Sequence, residues 1–341
     1  MASDSEPWVD PDMQKAFLRM AEIAREHDLP ADRSQLTPEQ ARRRGEIDRA
    51  WWNQERPALA RIEDVVVDGP KRPIPVRLLY PSSEGADTGS GGTGGGTGER
   101  LDAPLPVIVY LHGGGWVVGS LETHARAMHA LANAAGCLVA AVDYALAPEN
   151  KFPTAITEIA AVVGHIAAHG AEWGADARRI ALAGDSAGGN LAIGAELHLR
   201  AEGRSPVGAL GLIYPVTDCD FETASYRRFG SGQWGLSTAE MRAFFDHYVR
   251  GPEDLEDPRA VPMKADVSGF PPTFVTAASL DVLHDDALRF DARLRAAGVP
   301  GDLRFYDGVP HGFMTLTRMV PKAQTMIEDI ADRLSATLRG L

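Results

Sequence analysis

The sequence predicts an α/β fold in which a mostly parallel sheet carries helices on both faces. Two observations lead there. Between residues 107 and 338, short apolar runs alternate with segments of helical periodicity, the rhythm of successive βαβ units. One of those runs, Ile180–Ala183, passes through Gly184-Asp-Ser-Ala-Gly188 into a helical segment ending near Glu202, so Ser186 sits at a strand-to-helix turn. With 341 residues the chain can bury a large core, and folds of this class often exceed the usual length of one domain.

Taken in order, residues 11–28 place Met13, Phe17, Met20 and Ile23 at helical intervals and predict an amphipathic helix. A second helix starts at Thr37-Pro38, with threonine as N-cap and proline at the first helical position, and is expected to reach about Glu55 through Trp51 and Trp52. Neither helix leads directly into a strand, so residues 1–60 read as an addition to the βα core. Ile62–Val67 and Ile74–Tyr80 predict strands joined at Asp68-Gly-Pro70. The Gly/Ser/Thr tract at 82–100 has no large apolar anchor and is expected to be a flexible loop; it lacks the Gly-Lys-Ser/Thr ending of a phosphate loop.

From there strands are predicted at Val107–Leu111, Cys137–Val142, Ile180–Ala183, Leu210–Tyr214, Thr273–Ala277 and Asp302–Tyr306. Helices are predicted at Thr123–Ala135, Pro153–His169, Asp285–Ala297 and Val320–Leu338. The rhythm breaks at 216–260, where Asp218 to Trp234 has no core pattern and Ser237–Arg250 reads as a helix bearing Met241, Phe244, Phe245 and Tyr248. That stretch reads as an insertion in a catalytic domain of residues 61–341.

A formal charge of −13 argues against nucleic acid as partner. The N-terminus is acidic rather than basic and then apolar, and no run approaches the ~20 apolar residues of a membrane span, so a cytoplasmic protein without a membrane partner is expected. The two cysteines, Cys137 and Cys219, have neither metal-type nor disulfide-type spacing, and no cofactor or metal is expected.

Serine is a weak nucleophile on its own, so Ser186 needs a base in hydrogen-bond reach and a carboxylate to hold that base. Loops beyond the carboxyl ends of parallel strands are where such folds bring groups together. His311, in Gly308-Val-Pro-His-Gly-Phe313, follows the last predicted strand, and Asp281 lies just past the strand ending near Ala277. His165, His169 and His198 fall inside predicted helices, and Asp285 and Asp286 suit the first turn of the next helix, where acidic side chains favour the dipole. Acyl transfer also needs donors for a developing oxyanion. His112-Gly-Gly-Gly-Trp116 directly follows a strand, and the N–H groups of Gly113 and Gly114 are expected to converge there with that of Ala187.

Five motifs act as a set: His112-Gly-Gly-Gly-Trp-Val-Val-Gly-Ser120, Asp143-Tyr-Ala-Leu-Ala-Pro-Glu149, Gly184-Asp-Ser-Ala-Gly-Gly189, Leu280-Asp-Val-Leu283 and His311-Gly-Phe313. Together they resemble the hormone-sensitive-lipase family of α/β-hydrolase esterases, especially its bacterial carboxylesterases, over roughly residues 60–335. The resemblance implies an α/β-hydrolase fold: eight strands, mostly parallel, one antiparallel strand near the start, and a helical cap made of the N-terminal helices and the insertion after the sixth strand. It implies Ser186, Asp281 and His311 as triad and Gly113, Gly114 and Ala187 as oxyanion donors. Ala145 departs from the arginine common after Asp-Tyr, and Val282 from the proline common after the acid. The implied activity is hydrolysis of short- to medium-chain carboxylic esters through an acyl-enzyme, on a small-molecule ester substrate. Lactone opening, deacylation, dehydration or acyl transfer at the same site stays open, as does a non-catalytic receptor like the plant gibberellin receptors, although these lack the catalytic histidine that His311 supplies. The last strand is a candidate edge for a homodimer. Trp116, Phe221, Trp234, Phe244, Phe245 and Phe313 are candidates for lining an acyl pocket, and Phe17, Met20 and Trp51 or Trp52 are expected to pack on Phe244, Phe245 and Tyr248.

Deleting part of residues 84–98 should leave the melting temperature within about 2 °C and turnover nearly unchanged, because the tract offers little burial and loop length costs little. Calorimetry and an esterase assay on the shortened chain check this.

Overall fold

The computed structural model describes residues 6–30, 36–82 and 103–341; the Gly-rich tract lies almost wholly outside the described residues. Two helices lead: α1 (Pro11–Glu26), capped by the Asp10 carboxylate, and α2 (Pro38–Ala50), opened by a Thr37–Gln40 capping box. The hairpin β1 (Arg61–Asp68) and β2 (Pro73–Tyr80) comes next. The alternating part runs β3 (Leu105–Leu111), α3 (Ala125–Ala135), β4 (Leu138–Val142), α4 (Thr154–His169), β5 (Ala175–Asp185), α5 (Ala187–Ala201), β6 (Val207–Ile213). After α6 (Ala224–Phe229) and α7 (Thr238–Tyr248) it resumes with β7 (Thr273–Leu280), α8 (His284–Ala296), β8 (Leu303–Pro310) and α9 (Pro321–Arg339).

The eight strands form one sheet in the order β1-β2-β4-β3-β5-β6-β7-β8. β2 pairs antiparallel with both of its neighbours, and every pairing from β4 to β8 is parallel. This is the α/β-hydrolase arrangement that the motifs implied. One face is covered by α3, α9 and the apolar stripe of α1, with Met13, Ile23 and Trp52 buried beside Met128, Met326 and Phe313. The other face is covered by α4, α5 and α8, joined by Phe245 and Tyr248 of α7. Each such side chain contributes roughly 1.5–3 kcal/mol by leaving water.

Several strands run longer than expected, β5 from Ala175 rather than Ile180 above all, and three helical features also depart from expectation. Helix α2 stops at Ala50, and Trp51 and Trp52 belong to the turn after it, where Glu55 takes a positive φ of 52°. Helix α5 begins at Ala187, immediately after the serine, although glycines at 188 and 189 argue locally against a helix there. Tertiary packing overrides propensity: a Cβ at Gly188 would collide with the Leu111 carbonyl of β3, so only glycine lets this first turn sit on the strand. Helix α6 was not anticipated, because six residues are too few to display periodicity; Ser225 anchors it by donating to the Val282 carbonyl at 2.6 Å.

The aromatic junction expected between the N-terminal helices and α7 is not formed as foreseen. Phe17 meets Trp234, centroids 6.1 Å apart, while Trp52 turns into the α3/α9 side and Tyr248 stacks on Trp116 at 4.2 Å. The two sets lie in separate apolar clusters on the two sides of the sheet. Helix α2 instead touches the loop after β3 through Arg42, which donates to the carbonyls of Val117 and Ala147 and pairs with Glu149.

Ala145 has a structural counterpart. The Glu158 carboxylate of α4 is buried and accepts from the Ala145 N–H at 2.8 Å, and its guanidinium partner is Arg72 of the β1–β2 turn, at 2.8 and 3.0 Å. Arg72→Ala should strand that carboxylate and lower stability by about 2 kcal/mol, less than a fully buried pair because Arg72 is partly exposed. Urea denaturation, read as a lower midpoint at unchanged slope, checks it.

Candidate active site

Ser186, Asp281 and His311 each follow the last residue of a parallel strand, β5, β7 and β8 respectively, within one position. The sheet therefore delivers all three to its carboxyl edge. Ser186 Oγ lies 2.8 Å from His311 Nε2, and His311 Nδ1 lies 2.7 Å from Asp281 Oδ2. Asp281 is buried, and its other oxygen accepts from the Leu283 N–H at 2.9 Å, so the carboxylate is oriented from both sides. Tyr214 packs its ring 4.8 Å from that of His311 and limits where the imidazole can swing. A hydroxyl bonded to an imidazole that is itself held by a carboxylate can pass its proton to that imidazole as its oxygen attacks a carbonyl.

The backbone at Ser186 has φ 57° and ψ −120°, outside the regions L-residues ordinarily occupy. Such a conformation costs of order 1–3 kcal/mol and persists only where neighbours over-determine it. Here the Ser186 N–H donates to the Ile213 carbonyl at 2.8 Å, and the Ser186 carbonyl accepts from Asn190 and Val216 N–H groups, both at 3.2 Å.

The structure revises one expected donor. The Gly113 N–H donates to Asp185 Oδ1 at 2.8 Å, so it is committed to a buried carboxylate and does not face a reacting carbonyl. The N–H groups of Gly114, Gly115 and Ala187 meet no acceptor among the described residues. Gly114 has φ 127°, where L side chains are strained, and a Cβ there would also collide with the Val118 carbonyl. The Phe244 ring lies over Gly115. Trp116, the last residue of the motif, is fixed by stacking on Tyr248 and by its indole N–H, which donates to Asn190 Oδ1 at 3.3 Å.

Three other histidines have partners outside the Ser186–His311–Asp281 chain. His165 packs on Trp173, His198 lies between Arg259 and Glu202, and His284 Nδ1 is bonded to the Ala278 carbonyl. Of the proposed acyl-pocket aromatics, Phe313 is buried with Tyr214 and Tyr306 on the α9 side, whereas Trp116, Phe221 and Phe245 pack together on the α7 side. Trp234 borders an open crevice of about 570 Å³ between the N-terminal segment and the 216–260 stretch, whose walls include none of the triad.

Comparison with known proteins agrees with this geometry. Residues 108–315 match the family described as alpha/beta hydrolase fold. The chain is 34% identical over 266 residues to esterase LipI of Mycobacterium tuberculosis, covering 77% of this chain and 78% of that one. It is 29% identical over 295 residues to the acetyl esterase of Salmonella paratyphi B, covering 86% and 85%. Among solved structures, the hyperthermophilic esterase of the archaeon Pyrobaculum calidifontis superposes with a TM-score of 0.85 at 30% identity, over 97% of this chain and 99% of that one. The chain belongs to the α/β-hydrolase family and, within it, to the hormone-sensitive-lipase type of bacterial carboxylesterases. Its class is carboxylic-ester hydrolase. No described helix is long and apolar enough to cross a membrane.

One carboxylate near the triad was read from sequence only as a helix-start residue. Asp286 does lie in the first turn of α8, but it is wholly buried and accepts through Oδ2 from the Thr217 and Asp218 N–H groups at 2.9 and 3.0 Å. Burial pushes its pKa up to about 7, against the pull of those two donors and with help from the charges of Asp218 and Asp281. Between about pH 4 and pH 7 the folded chain thus keeps a proton that the unfolded chain has released, so stability falls as pH rises through that window and levels off above it. Asp286→Asn keeps an acceptor for both N–H groups and removes the charge. It should flatten that fall and raise stability at pH 8 by about 2 kcal/mol, as read from urea unfolding at pH 5 and pH 8.

Proposed function

We propose that this esterase hydrolyses short- to medium-chain carboxylic esters of small molecules in two acyl-transfer steps on Ser186. In the first, Ser186 Oγ attacks the ester carbonyl while His311 Nε2 takes its proton. The imidazolium is held by Asp281, and the oxyanion is met by the N–H groups of Gly114, Gly115 and Ala187. Collapse breaks the bond to the alkoxy oxygen, which leaves as the alcohol with the proton from His311. In the second, water attacks the acyl-enzyme, His311 takes a proton from it and returns one to Ser186, and the carboxylic acid departs.

The observation that carries this reading is the unbroken chain of hydrogen bonds from Ser186 Oγ through His311 to Asp281, at 2.8 and 2.7 Å. The names of the similar proteins, esterase and acetyl esterase, point the same way. A preference for short acyl chains is supported by Phe244 over Gly115 and by the packed Trp116, Phe245 and Tyr248 beside it, which restrict the space next to the donors. Residues 1–60 and 216–260 serve as the cap in this reading, supported by the Phe17–Trp234 contact and by Arg42 reaching the Val117 carbonyl. A homodimer along β8 is supported by that strand's place at the sheet edge and by the exposure of Arg304 and Phe305 on it.

Ser186→Ala, Asp281→Asn and His311→Ala should each lower kcat on p-nitrophenyl esters by about three orders of magnitude or more, with circular dichroism unchanged, because the three act as a unit. A fluorophosphonate should label the wild type at Ser186 and leave Ser186→Ala untouched. Near-native turnover by folded Ser186→Ala would overturn the mechanism, and a p-nitrophenyl series from acetate to laurate reads the chain-length preference.

A further inference from the structure

Beneath the glycine loop lies a second carboxylate–histidine couple. Asp185, buried directly before the nucleophile, accepts at Oδ1 from the Tyr110 hydroxyl at 2.7 Å and from the Gly113 N–H at 2.8 Å, and its Oδ2 lies 3.4 Å from His124 Nε2. Burial favours the neutral acid, but the charge and hydrogen bond of His124, with Tyr110 and Gly113, hold its pKa down at about 2. Asp185 is therefore an anion that accepts twice at Oδ1 and faces His124 with Oδ2.

His124 is held at both ring nitrogens. Its Nδ1 lies 2.9 Å from Thr123 Oγ1, a hydroxyl that donates to the Ser120 carbonyl at 2.9 Å and accepts from the Ser120 N–H, while Nε2 faces the Asp185 carboxylate. In its neighbour His112, burial and then the nearby His124 lower the pKa to about 4, so it stays neutral, with Nδ1 on the Gly113 carbonyl at 2.8 Å.

We propose that His124 and Asp185 are positioning residues for the oxyanion site: His124 holds the Asp185 carboxylate in place, and that carboxylate takes up the Gly113 N–H and so aims the peptides that follow it. This rests on the reading of Gly114, Gly115 and Ala187 as its donors. With Gly113 pinned to Asp185 on one side and Trp116 pinned to Asn190 on the other, the peptides between them are held at both ends of a short span.

The experiment measures His124→Leu, which loses the polar contact to Asp185, beside His124→Gln, which retains a donor on a differently shaped side chain. Each is assayed for kcat and KM on p-nitrophenyl acetate and for inhibition by an aryl trifluoromethyl ketone, whose hemiketal on Ser186 mimics the tetrahedral intermediate. His124→Leu should lower kcat about tenfold or more with KM within about twofold, because donors displaced from the oxyanion act on the transition state alone. Affinity for the ketone should fall by a similar factor, and His124→Gln should lie between Leu and wild type. Since Leu leaves a buried anion unpaired, thermal melts accompany both variants, and where Leu does not fold the Gln variant decides. A folded His124→Gln with wild-type kcat overturns the proposal. So does loss of kcat with ketone affinity intact, or loss matched by a rise in KM. Fluorophosphonate labelling and ester turnover of the wild type separate this outcome from failure of the Ser186 mechanism, which would abolish both before any His124 variant is made.

Discussion

The left-handed backbone at Ser186 is the constraint on which the rest of the site depends. An L-residue at φ 57° is tolerated only because β6 holds its N–H, and α5 and the chain after β6 hold its carbonyl. That conformation turns the chain sharply enough for α5 to start one residue after β5 stops, which leaves the serine hydroxyl at a helix N-terminus facing out over the sheet edge. The same turn requires Gly188 to lie against Leu111, and so sets the distance between Ser186 and the loop that follows β3. Helix start, glycine loop and Ser186 are thus one packing solution.

Charge is distributed around that solution by environment as much as by residue type. Asp281 and Asp185 are both buried aspartates facing a histidine, yet one holds His311 and the other ends at the glycine loop. Asp286, with two backbone donors and two acidic neighbours but no basic partner, is driven toward its neutral form. Burial keeps His112 neutral, with Nε2 unpartnered among the described residues, whereas His124, its ring centroid 5.6 Å away, lies between Thr123 and Asp185.

The N-terminal helices reach the site indirectly. Trp52, Met13 and Ile23 anchor them to the α3/α9 side of the sheet, and the Arg42 guanidinium links α2 to the Val117 carbonyl, three residues after Gly114. Asp10 N–H bonds to the Gly308 carbonyl at 3.0 Å, three residues before His311, so the segment leading into α1 is tied to the strand that presents that histidine. This layer meets the loops at the sheet edge through hydrogen bonds rather than through the aromatic cluster around Trp116.

Sequence by itself determined the strand–helix rhythm, the elbow at Ser186 and the partners Asp281 and His311. Those features are written locally: an apolar run reports a buried strand, and a chemically apt residue directly after such a run must lie at the sheet edge. Tertiary structure alone decided which glycine N–H groups are available. Gly113 and Gly114 look alike in a run of three, and only the Asp185 carboxylate, 72 residues away in sequence, commits the first of them. It also assigned His124 to Asp185 and Arg72 to Glu158, set α6 in place, and sent Trp52 and Tyr248 to opposite sides of the sheet. The physical reason is common to all five: a donor's direction, a short helix and a side chain's burial are set by whichever distant group completes them, and neither periodicity nor spacing along the chain records that group.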